Sequence, residues 1–326
     1  MEKTATRDVY GKTLVEIGRN NPKIVVLDAD LSDSTRSEHF QKEFPDRFFN
    51  MGVAEQNLIG TSAGLAVSGK IVFASTFAIF SERAFELIRN VVSRNKLNVK
   101  LTGTHAGIIT GDDGKSAQAI EDIAIYRALP NMIVIQPCDT IEAQLAIKYL
   151  AEYNGPSYLR LIRTALPVIH NPDYKFQFGK ADVIRDGSDA VIFATGALVY
   201  ESLMAADVLQ KEGLSVAVVN VHTIKPLDIN TITNFAKKTN HVITAEDHNI
   251  IGGLGSTVAE ILSENYPCIM RRIGLMDRYA ESGSPEELYK KYGLSADNIV
   301  KVVKDIIKTK KVVGGGNIRN NRNSNM

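Results

Sequence analysis

Tryptophan is absent from this sequence, and cysteine occurs only twice in 326 residues. Cys138 and Cys268 lie far apart without CxxC spacing, which excludes a disulfide-rich scaffold and a CxxC redox motif. We expect both to be small core residues of a cytoplasmic protein in a reducing compartment. The most apolar stretch, residues 58–80, is interrupted by serine, glycine and lysine, and the N-terminus shows no signal-peptide pattern. Neither a membrane span nor export is predicted.

An excess of charge is also missing. The 38 lysines and arginines nearly balance the 37 aspartates and glutamates, which gives a net charge of +1 at pH 7. Such a balance provides no global field to attract nucleic acid or an anionic membrane. Arginines do occur in the tail, residues 310–326, but no aromatic residue accompanies them. We predict that this tail is disordered and does not bind nucleic acid.

The sequence does contain a regular alternation of apolar strand patterns with helical patterns, which predicts parallel, doubly wound α/β sheets. Its length suggests two domains, with boundaries predicted at 1–165 for the first, 166–186 for a linker and 187–309 for the second. The predicted strands are 23–28, 47–49, 69–75, 99–102, 132–136, 158–162, 191–194, 215–219, 242–245 and 268–273. The predicted helices of the first half are 5–20, 57–67, 77–94, 118–129 and 141–153.

Glu55 stands at a strand-to-helix junction with almost no other charge nearby. One interpretation is a first-turn acid that the helix dipole stabilises. The other is a catalytic acid whose pKa is set by an apolar wall and a ligand. Position alone favours the first interpretation, and residues further along the chain bear on the choice.

Two further segments follow predicted strands at the edge of the sheet where ligands bind. Phe77 and Phe80 are spaced to share one face of a helix start, either as core residues or as an aromatic floor for a flat heteroaromatic ring. The loop 103–116 is long enough to be functional, but it fits neither a calcium loop nor a GxxxxGK[ST] phosphate cradle. The glycines at 252–255 are better explained by a tight turn at a domain contact than by dinucleotide binding.

Several ordered motifs together closely resemble the transketolase family. They are Gly52-Val53-Ala54-Glu55-Gln56, Ser75-Thr76-Phe77, Thr104-His105-Ala106-Gly107, Gly111-Asp112-Asp113-Gly114, Leu129-Pro130-Asn131-Met132, Thr223-Ile224-Lys225-Pro226-Leu227-Asp228 and Ala245-Glu246-Asp247-His248. The resemblance covers only the C-terminal half of such enzymes, with their pyrimidine-binding and C-terminal domains. It implies a subunit of a split transketolase.

The resemblance also implies a partner and two cofactors. The partner would be an N-terminal transketolase subunit with a GDG motif, in an α2β2 assembly that binds thiamin diphosphate. Mg²⁺ would be held mainly by the diphosphate and the partner, since the resemblance assigns no metal ligand to this chain. The implied reaction moves a two-carbon ketol unit between sugar phosphates, as in the pentose phosphate pathway.

Roles in cofactor binding follow from the same resemblance. Glu55 matches the glutamate that hydrogen-bonds the N1′ nitrogen of the thiamin aminopyrimidine and thereby assists removal of the C2 proton. Phe77 matches the aromatic residue that stacks on this ring, and Phe80 lines the same pocket. Asp30 matches an acid near the thiazolium. Arg83 stands where many relatives have tyrosine, which puts its contact with the aminopyrimidine in doubt.

The substrate residues implied by the resemblance are Arg7, Ser34, His105, Asp113, Arg163 and Gln118. Asp113 matches the aspartate that accepts a hydrogen bond from the substrate hydroxyl next to the carbonyl. The arginines, with Ser34 and His105, match the group that grips the sugar phosphate, because guanidinium groups bind such dianions bidentately. Ala117 replaces the family histidine or glutamine, and we hypothesise that Gln118 or a partner residue makes the missing polar contact.

Two other functions remain open. The β subunit of a 2-oxoacid dehydrogenase shares the GxAEQ element but does not need the phosphate-binding set. A non-catalytic scaffold subunit would stabilise a partner without chemistry of its own, although it would have no need to keep Glu55 beside its aromatic neighbours.

Overall fold

Two β-sheets form the framework of residues 3–308, the part of the chain that the computed structural model describes. The predicted tail lies outside these residues. The strands are β1 Lys3–Thr4, β2 Ile24–Asp28, β3 Phe48–Asn50, β4 Ile71–Phe77, β5 Val99–Thr104, β6 Ile133–Ile135, β7 Ser157–Arg160, β8 Leu166–Pro167, β9 Asp182–Arg185, β10 Ala190–Ala194, β11 Val216–Asn220, β12 Thr223–Lys225, β13 His241–Asn249 and β14 Ile269–Leu275.

Helices connect these strands and pack on the sheets. They are α1 Thr6–Asn20, α2 Ser32–Thr35, α3 Glu38–Glu43, α4 Glu55–Val67, α5 Ala78–Ser81, α6 Phe85–Leu87, α7 Asp122–Ala128, α8 Thr140–Glu152, α9 Leu198–Lys211, α10 Ile229–Thr239, α11 Leu254–Asn265, α12 Pro285–Tyr292 and α13 Ala296–Lys308. Three 3₁₀ turns, Pro45–Arg47, Glu82–Ala84 and Ile108–Asp113, and a π-helical segment, Ile88–Ser93, complete the set. No helix within residues 3–308 is long and apolar enough to span a membrane.

The first sheet has the strand order β12-β6-β7-β5-β4-β2-β3 and is parallel except for its edge strand β12. Continuous apolar patterns such as that of β2, where all five residues are buried, explain why helices cover both faces. The predicted α/β class with a parallel sheet is confirmed. The strand order places β7, β5 and β4 at the centre and β2 beside β4, with their carboxyl ends on one edge.

The second sheet has the order β14-β13-β10-β11-β9, with parallel pairing everywhere except between β9 and β11. β9 falls inside the segment predicted as a linker, so the end of that segment belongs to the second sheet. β8 pairs antiparallel with β1 at the beginning of the chain. The residues between the two units are therefore ordered by strand pairing at both ends.

One strand crosses between the units. β12 follows β11 of the second sheet, yet it pairs antiparallel with β6 at the edge of the first sheet. Ile224 at its centre is buried in the apolar cluster of the first unit. The first sheet is therefore completed by a strand from the second half of the sequence.

Three local predictions need comment. The helix predicted over 77–94 is wrong in its regularity, because α5, one 3₁₀ turn, α6 and the π segment replace one continuous helix. The helix predicted from 118 begins only at Asp122. The tight turn at 252–255 is confirmed, because Gly252 has φ +81° and a side chain there would strike Ala124 of the first unit. Both cysteines are free, Cys138 buried and Cys268 half-buried.

Candidate active site at the strand ends of the first sheet

The candidate residues Asp30, Glu55, Phe77, His105 and Arg163 lie at or just after the carboxyl ends of β2, β3, β4, β5 and β7. Neighbouring strands of this group are parallel and in direct register, so their ends meet at one edge. The prediction that the loops gather there is confirmed. This edge is where parallel α/β sheets bind ligands.

Glu55 is the first residue of α4, and its side chain is 5% exposed. The nearest cation is the guanidinium of Arg83, with Nη1 3.8 Å from Oε2 of Glu55, and the Arg83 side chain is mostly exposed. Oε2 is buried and accepts no hydrogen bond. A helix dipole explains an acid in the first turn but not a buried oxygen without a donor. The geometry suits a ligand that donates a hydrogen bond to this oxygen.

The ring of Phe77 contacts two other rings. Its ring is parallel to that of Phe80 at 5.3 Å between centroids and stacks on the imidazole of His105 at 3.8 Å. Phe77 ends β4 and Phe80 lies in α5, while Arg83 one turn later reaches Glu55. The aromatic rings and the buried carboxylate are thus neighbours in the fold. Such a pair suits a flat heteroaromatic ring.

His105 is buried, has the positive backbone φ of +58° and contacts a cation. Its Nε2 lies 3.1 Å from Nη1 of Arg7, and its Nδ1 lies 2.9 Å from Oγ1 of Thr104. Burial, together with the charges of Arg7, Arg163 and Arg36, lowers the pKa of His105 to about 3. The imidazole is therefore neutral at physiological pH, with Nε2 free to accept from Arg7.

Arg7 and Arg163 bring positive charge to the same loops. Arg7 Nη1 donates to the carbonyl of Ser34 at 2.9 Å, while its Nε is buried without a partner. Burial and then the charge of Arg36 lower the pKa of Arg7. Arg163 donates to Oδ2 of Asp113 at 2.9 Å. The predicted phosphate-binding group is thus assembled around cations whose mutual repulsion an anionic ligand would relieve.

Sequence reasoning missed Arg36. This residue follows α2 with a positive φ of +68°, and its Nε donates to Asp8 at 2.7 Å. Its charge affects both Arg7 and His105. The signal that could have found it is its place two residues after Ser34, in a polar loop that follows a buried strand.

Asp30 and Gln118 have different surroundings. Asp30 is exposed, has φ +63°, and accepts from Nδ2 of Asn50 at 2.8 Å, which joins the loops after β2 and β3. Gln118 is buried, and its Nε2 donates to backbone carbonyls at Ile108, Gly111 and Glu281. Its Oε1 has no partner. The amide nitrogen of Gln118 thus holds loop backbone, which leaves Oε1 as the atom for any ligand contact.

One compact group within residues 3–308 has ligand types suited to a metal, namely Cys138, Asp139 and His170. Its atoms are already engaged. Oδ2 of Asp139 accepts from the backbone N–H groups of Ile169 and His170 and from the His170 ring, whose other nitrogen contacts Asp182. The group is a hydrogen-bonded network rather than an open metal cage.

The fold and the site define an α/β protein in which the strand ends bring a buried carboxylate, aromatic rings and arginines to one edge of a parallel sheet. Comparison with known proteins gives the family. The family described as "Transketolase, pyrimidine binding domain" matches residues 2–168, and "Transketolase, C-terminal domain" matches residues 179–299. A protein of Methanocaldococcus jannaschii named as a transketolase C-terminal section is 49% identical, with 93% of this chain and 96% of that protein covered.

Two bacterial relatives have names that specify a sugar. A 6-deoxy-6-sulfo-D-fructose transketolase subunit of a Clostridium species is 39% identical, with 95% of this chain and 97% of that protein covered. A protein of Phocaeicola vulgatus named as a subunit of apulose-4-phosphate transketolase is 37% identical, with 93% and 98% covered. The chain spans about half of longer relatives, for instance 49% of mouse transketolase-like protein 2.

Solved structures agree with these sequence relationships. A split-gene transketolase solved as an inactive β4 tetramer superposes with a TM-score of 0.87 at 49% identity, and 93% of this chain and 98% of that chain are covered. Transketolase of Campylobacter jejuni superposes at 0.81 with 23% identity, over 93% of this chain and 47% of that one, which shows the shared fold. The chain belongs to the transketolase family. It is a transketolase-type transferase subunit that corresponds to the C-terminal section of the longer enzymes.

This membership does not favour the β subunit of a 2-oxoacid dehydrogenase. The pyrimidine-binding domain indicates the use of thiamin diphosphate. The relationship to split enzymes implies an N-terminal partner subunit.

Proposed function

We propose that this chain, together with an N-terminal subunit that carries a GDG motif, transfers a two-carbon ketol unit between ketose and aldose phosphates. The assembly would be α2β2, and its reactions would belong to the pentose phosphate pathway. The observation that carries the proposal is the buried Oε2 of Glu55, which accepts no hydrogen bond and lies 3.8 Å from Arg83, one turn after the stacked rings of Phe77 and Phe80.

The residues present fit thiamin diphosphate. Glu55 would accept a hydrogen bond from the ring nitrogen N1′ and hold the proton there, Phe77 would stack on the aminopyrimidine, and Phe80 would line the same pocket. Asp30 would lie toward the thiazolium end. The bound group supplies an electron sink for breaking a carbon–carbon bond. Mg²⁺ would be held by the diphosphate and the partner, since oxygen ligands of that kind are its preferred partners.

The substrate would be held by the polar residues opposite the aromatic rings. Arg7 and Arg163, with Ser34 and the neutral His105, would bind the terminal anion, because arginine forms bidentate bonds with phosphate. Asp113 would accept a hydrogen bond from the hydroxyl next to the carbonyl, and Gln118 Oε1 would make a further polar contact. Two relatives at nearly equal identity are named for different sugars, a sulfo-sugar and apulose phosphate. The choice of sugar therefore needs a direct assay.

The first test is reconstitution. The purified chain alone should transfer no ketol unit from a ketose phosphate to an aldose phosphate. Addition of the N-terminal subunit from the same source, thiamin diphosphate and Mg²⁺ should restore transfer. Parallel assays with a ketose phosphate and a sulfonated ketose distinguish the two substrate classes. Transfer by the chain alone would contradict the proposal.

The second test is Glu55→Gln in the reconstituted mixture. We expect turnover to fall by about 10²- to 10⁴-fold, because the amide cannot hold the proton as an acid-base group does. The matched control is Glu82→Gln. Burial, with the charges of Glu121 and Asp122, raises the pKa of Glu82 to about 9, so the substitution replaces one neutral group by another and should leave turnover intact. Full activity of Glu55→Gln would favour the scaffold function instead.

A further inference from the structure

A buried carboxylate of the second α/β unit binds the backbone of the loop that carries His105 and Asp113. Asp247 in β13 accepts from the N–H of Ile108 at 2.9 Å with Oδ1 and from the N–H of Ile109 at 3.1 Å with Oδ2. These groups begin the 3₁₀ turn Ile108–Asp113, and the first N–H groups of such a turn have no partner within it. Asp247 thus caps a turn that belongs to the other unit.

This carboxylate is held tightly from its own side as well. Asp247 is buried, and the hydroxyl of Tyr289 donates to Oδ2 at 2.9 Å. Arg160 of the first unit donates to the backbone carbonyl of Asp247 at 3.0 Å. Gly107, with φ +78°, gives the room for this approach, because a β-carbon there would overlap the carboxylate. The contact has little freedom to move.

The turn also contacts residues of the proposed substrate site or their neighbours. The hydroxyl of Thr110 in the turn donates to the backbone carbonyl of His105. Thr164, which follows Arg163, donates to the carbonyl of Ile109 at 2.8 Å. Asp113 is the last residue of this segment, which departs from helical geometry at Gly111 (φ +82°), and it pairs with Arg163. The placement of all three substrate residues therefore depends on where the turn lies.

We propose that Asp247 is a positioning residue of the substrate site, through which the second unit fixes His105, Asp113 and Arg163 relative to one another. The inference rests on the proposed function of that site. It assigns Asp247 primarily to substrate affinity, because Glu55 and Phe77 stand on α4 and β4, outside the turn that Asp247 caps, and the turn reaches Phe77 indirectly, through the stacking of His105 on its ring. No role for the second unit in substrate recognition follows from the sequence motif alone.

The test is Asp247→Asn in the full chain, assayed with the N-terminal subunit. Asparagine keeps the shape, but its amide nitrogen faces one of the two backbone N–H donors. We expect the KM for a ketose phosphate to rise about tenfold or more, since small displacements of positioning groups cost this much. Thiamin diphosphate affinity should change much less than the KM. Tyr289→Phe removes one contact to the carboxylate and should raise the KM by a smaller factor. If Asp247→Asn does not fold, the KM of Tyr289→Phe serves as the test of the inference.

Glu246→Gln is the matched control. Glu246 is the neighbouring buried carboxylate, and it also accepts from two backbone N–H groups, at 2.6 and 2.8 Å, but these belong to Leu254 and Gly255 of its own unit. This variant should lose stability without the change in KM. An unchanged KM in Asp247→Asn, or a loss of cofactor affinity in step with KM, would overturn the inference.

Hydrogen exchange separates this inference from the proposed function. The amides of Ile108 and Ile109, followed in the chain without its partner, should exchange faster in Asp247→Asn and at the wild-type rate in Glu246→Gln. A reconstituted wild-type mixture without ketol transfer would defeat the proposed function. Unchanged exchange at these two amides would show that Asp247 does not hold the turn, whatever the mixture does.

Discussion

Three residues at the candidate site, Asp30, Arg36 and His105, have a positive backbone φ although none is glycine. Side chains other than glycine adopt this conformation at a cost, and such residues concentrate where function fixes the backbone. Each follows a buried strand or a short helix at the ligand-binding edge of the first sheet. Three of the seven non-glycine residues with positive φ in residues 3–308 are thus ones that the proposal assigns to cofactor, substrate or their charge environment.

The neutral state of His105 is testable by its titration. Because burial and three arginines lower the pKa of His105 to about 3, its imidazole should show no protonation between pH 8 and pH 5. The measurement is the ring chemical shift by NMR, assigned with His105→Gln. Arg7→Gln removes a cation in direct contact and should raise the pKa. The effect of His105 on folding stability has a defined sign. In the unfolded chain His105 protonates near pH 6.5, whereas in the folded chain it stays neutral. Its contribution to the free energy of unfolding is therefore complete above pH 6.5 and is lost as the pH falls below that value.

If His105 titrated near pH 6.5 in the folded wild-type chain, burial and the nearby arginines would not lower its pKa to about 3. Such a titration would also alter the proposed substrate contact, because a protonated imidazole can no longer accept from Arg7. The phosphate would then face three cations and an imidazolium.

Several site residues could be predicted at this scale, and others could not. Glu55, Phe77 and Phe80 occur in local motifs, and the structure places Glu55 close to the helical segment that carries the ring pair. Arg36 and Asp247 act through contacts with residues distant in sequence, and no local pattern reports such contacts. Gln118 was assigned by its place next to Ala117, whereas its amide nitrogen holds backbone from both units.

At the scale of elements, ten of the fourteen strands in residues 3–308 were predictable as apolar runs, but their ends were not, and the short strands β1, β8, β9 and β12 were not predicted. β4 and β5 each continue two residues beyond the predicted ends, through Thr76 to Phe77 and through Gly103 to Thr104. Polar residues and glycine break an apolar pattern, yet these positions remain paired in register. The pairing partner, which sequence does not show, extends the strands into the ligand-binding edge.

In the region after β4, the sequence predicts a more regular element than the structure contains. Apolar residues at Ala84, Leu87, Ile88 and Val91 fit one helical face, which predicts a continuous helix. In the structure Ala84 has φ −99° and ψ 13° before α6, and a π-helical segment follows at Ile88–Ser93. An apolar stripe does not distinguish spacings of three, four and five residues once the segment is short. Such π-helical segments frequently occur at functional sites.

The segment between the units contains a histidine that connects them. His170 lies between Asp139 of the first unit, 2.9 Å from Nδ1, and Asp182 of β9, 3.0 Å from Nε2. Cys138, Glu142, Tyr174 and His222 complete its surroundings. These carboxylates outweigh the effect of burial and raise the pKa of His170 to about 10.

Stability at alkaline pH should therefore depend on His170. Its pKa is higher in the folded chain than the value near 6.5 of an unfolded chain, so its contribution is complete below pH 6.5 and is lost as the pH rises through 10. Urea unfolding between pH 6 and pH 10 is the measurement. His170→Gln should have a lower free energy of unfolding than the wild type at pH 6. Its free energy of unfolding should also fall less steeply between pH 6 and pH 10. Parallel curves for the two proteins would refute this role.

At the scale of the whole molecule, the boundary between the units is not a boundary between cores. β12 comes from the second half of the sequence but completes the first sheet, and Lys225 in it donates to backbone carbonyls at Arg127 and Leu129. The ion pair of Arg160 with Asp122, fully buried in the first unit, extends to the backbone of Asp247 in the second. The alternation of strands and helices predicted two α/β units correctly but could not reveal this exchange, because pairing partners are set by tertiary contact.

The shared strand predicts that the two units unfold together. Ile224→Ala removes a buried side chain of β12 and should cost about 2–5 kcal/mol, the usual range for such a truncation in a core. Because no tryptophan is present to report unfolding, hydrogen exchange with mass spectrometry is the measurement, with peptides from both sheets. The slowest-exchanging amides of both units should lose the same amount of protection against hydrogen exchange. Ile232→Ala, a truncation of the same size within the core of the second unit, should give the same shared loss. If Ile224→Ala exposed the first sheet while the second kept its protection, the units would be independent, and the control of the substrate loop by Asp247 would lose its structural basis.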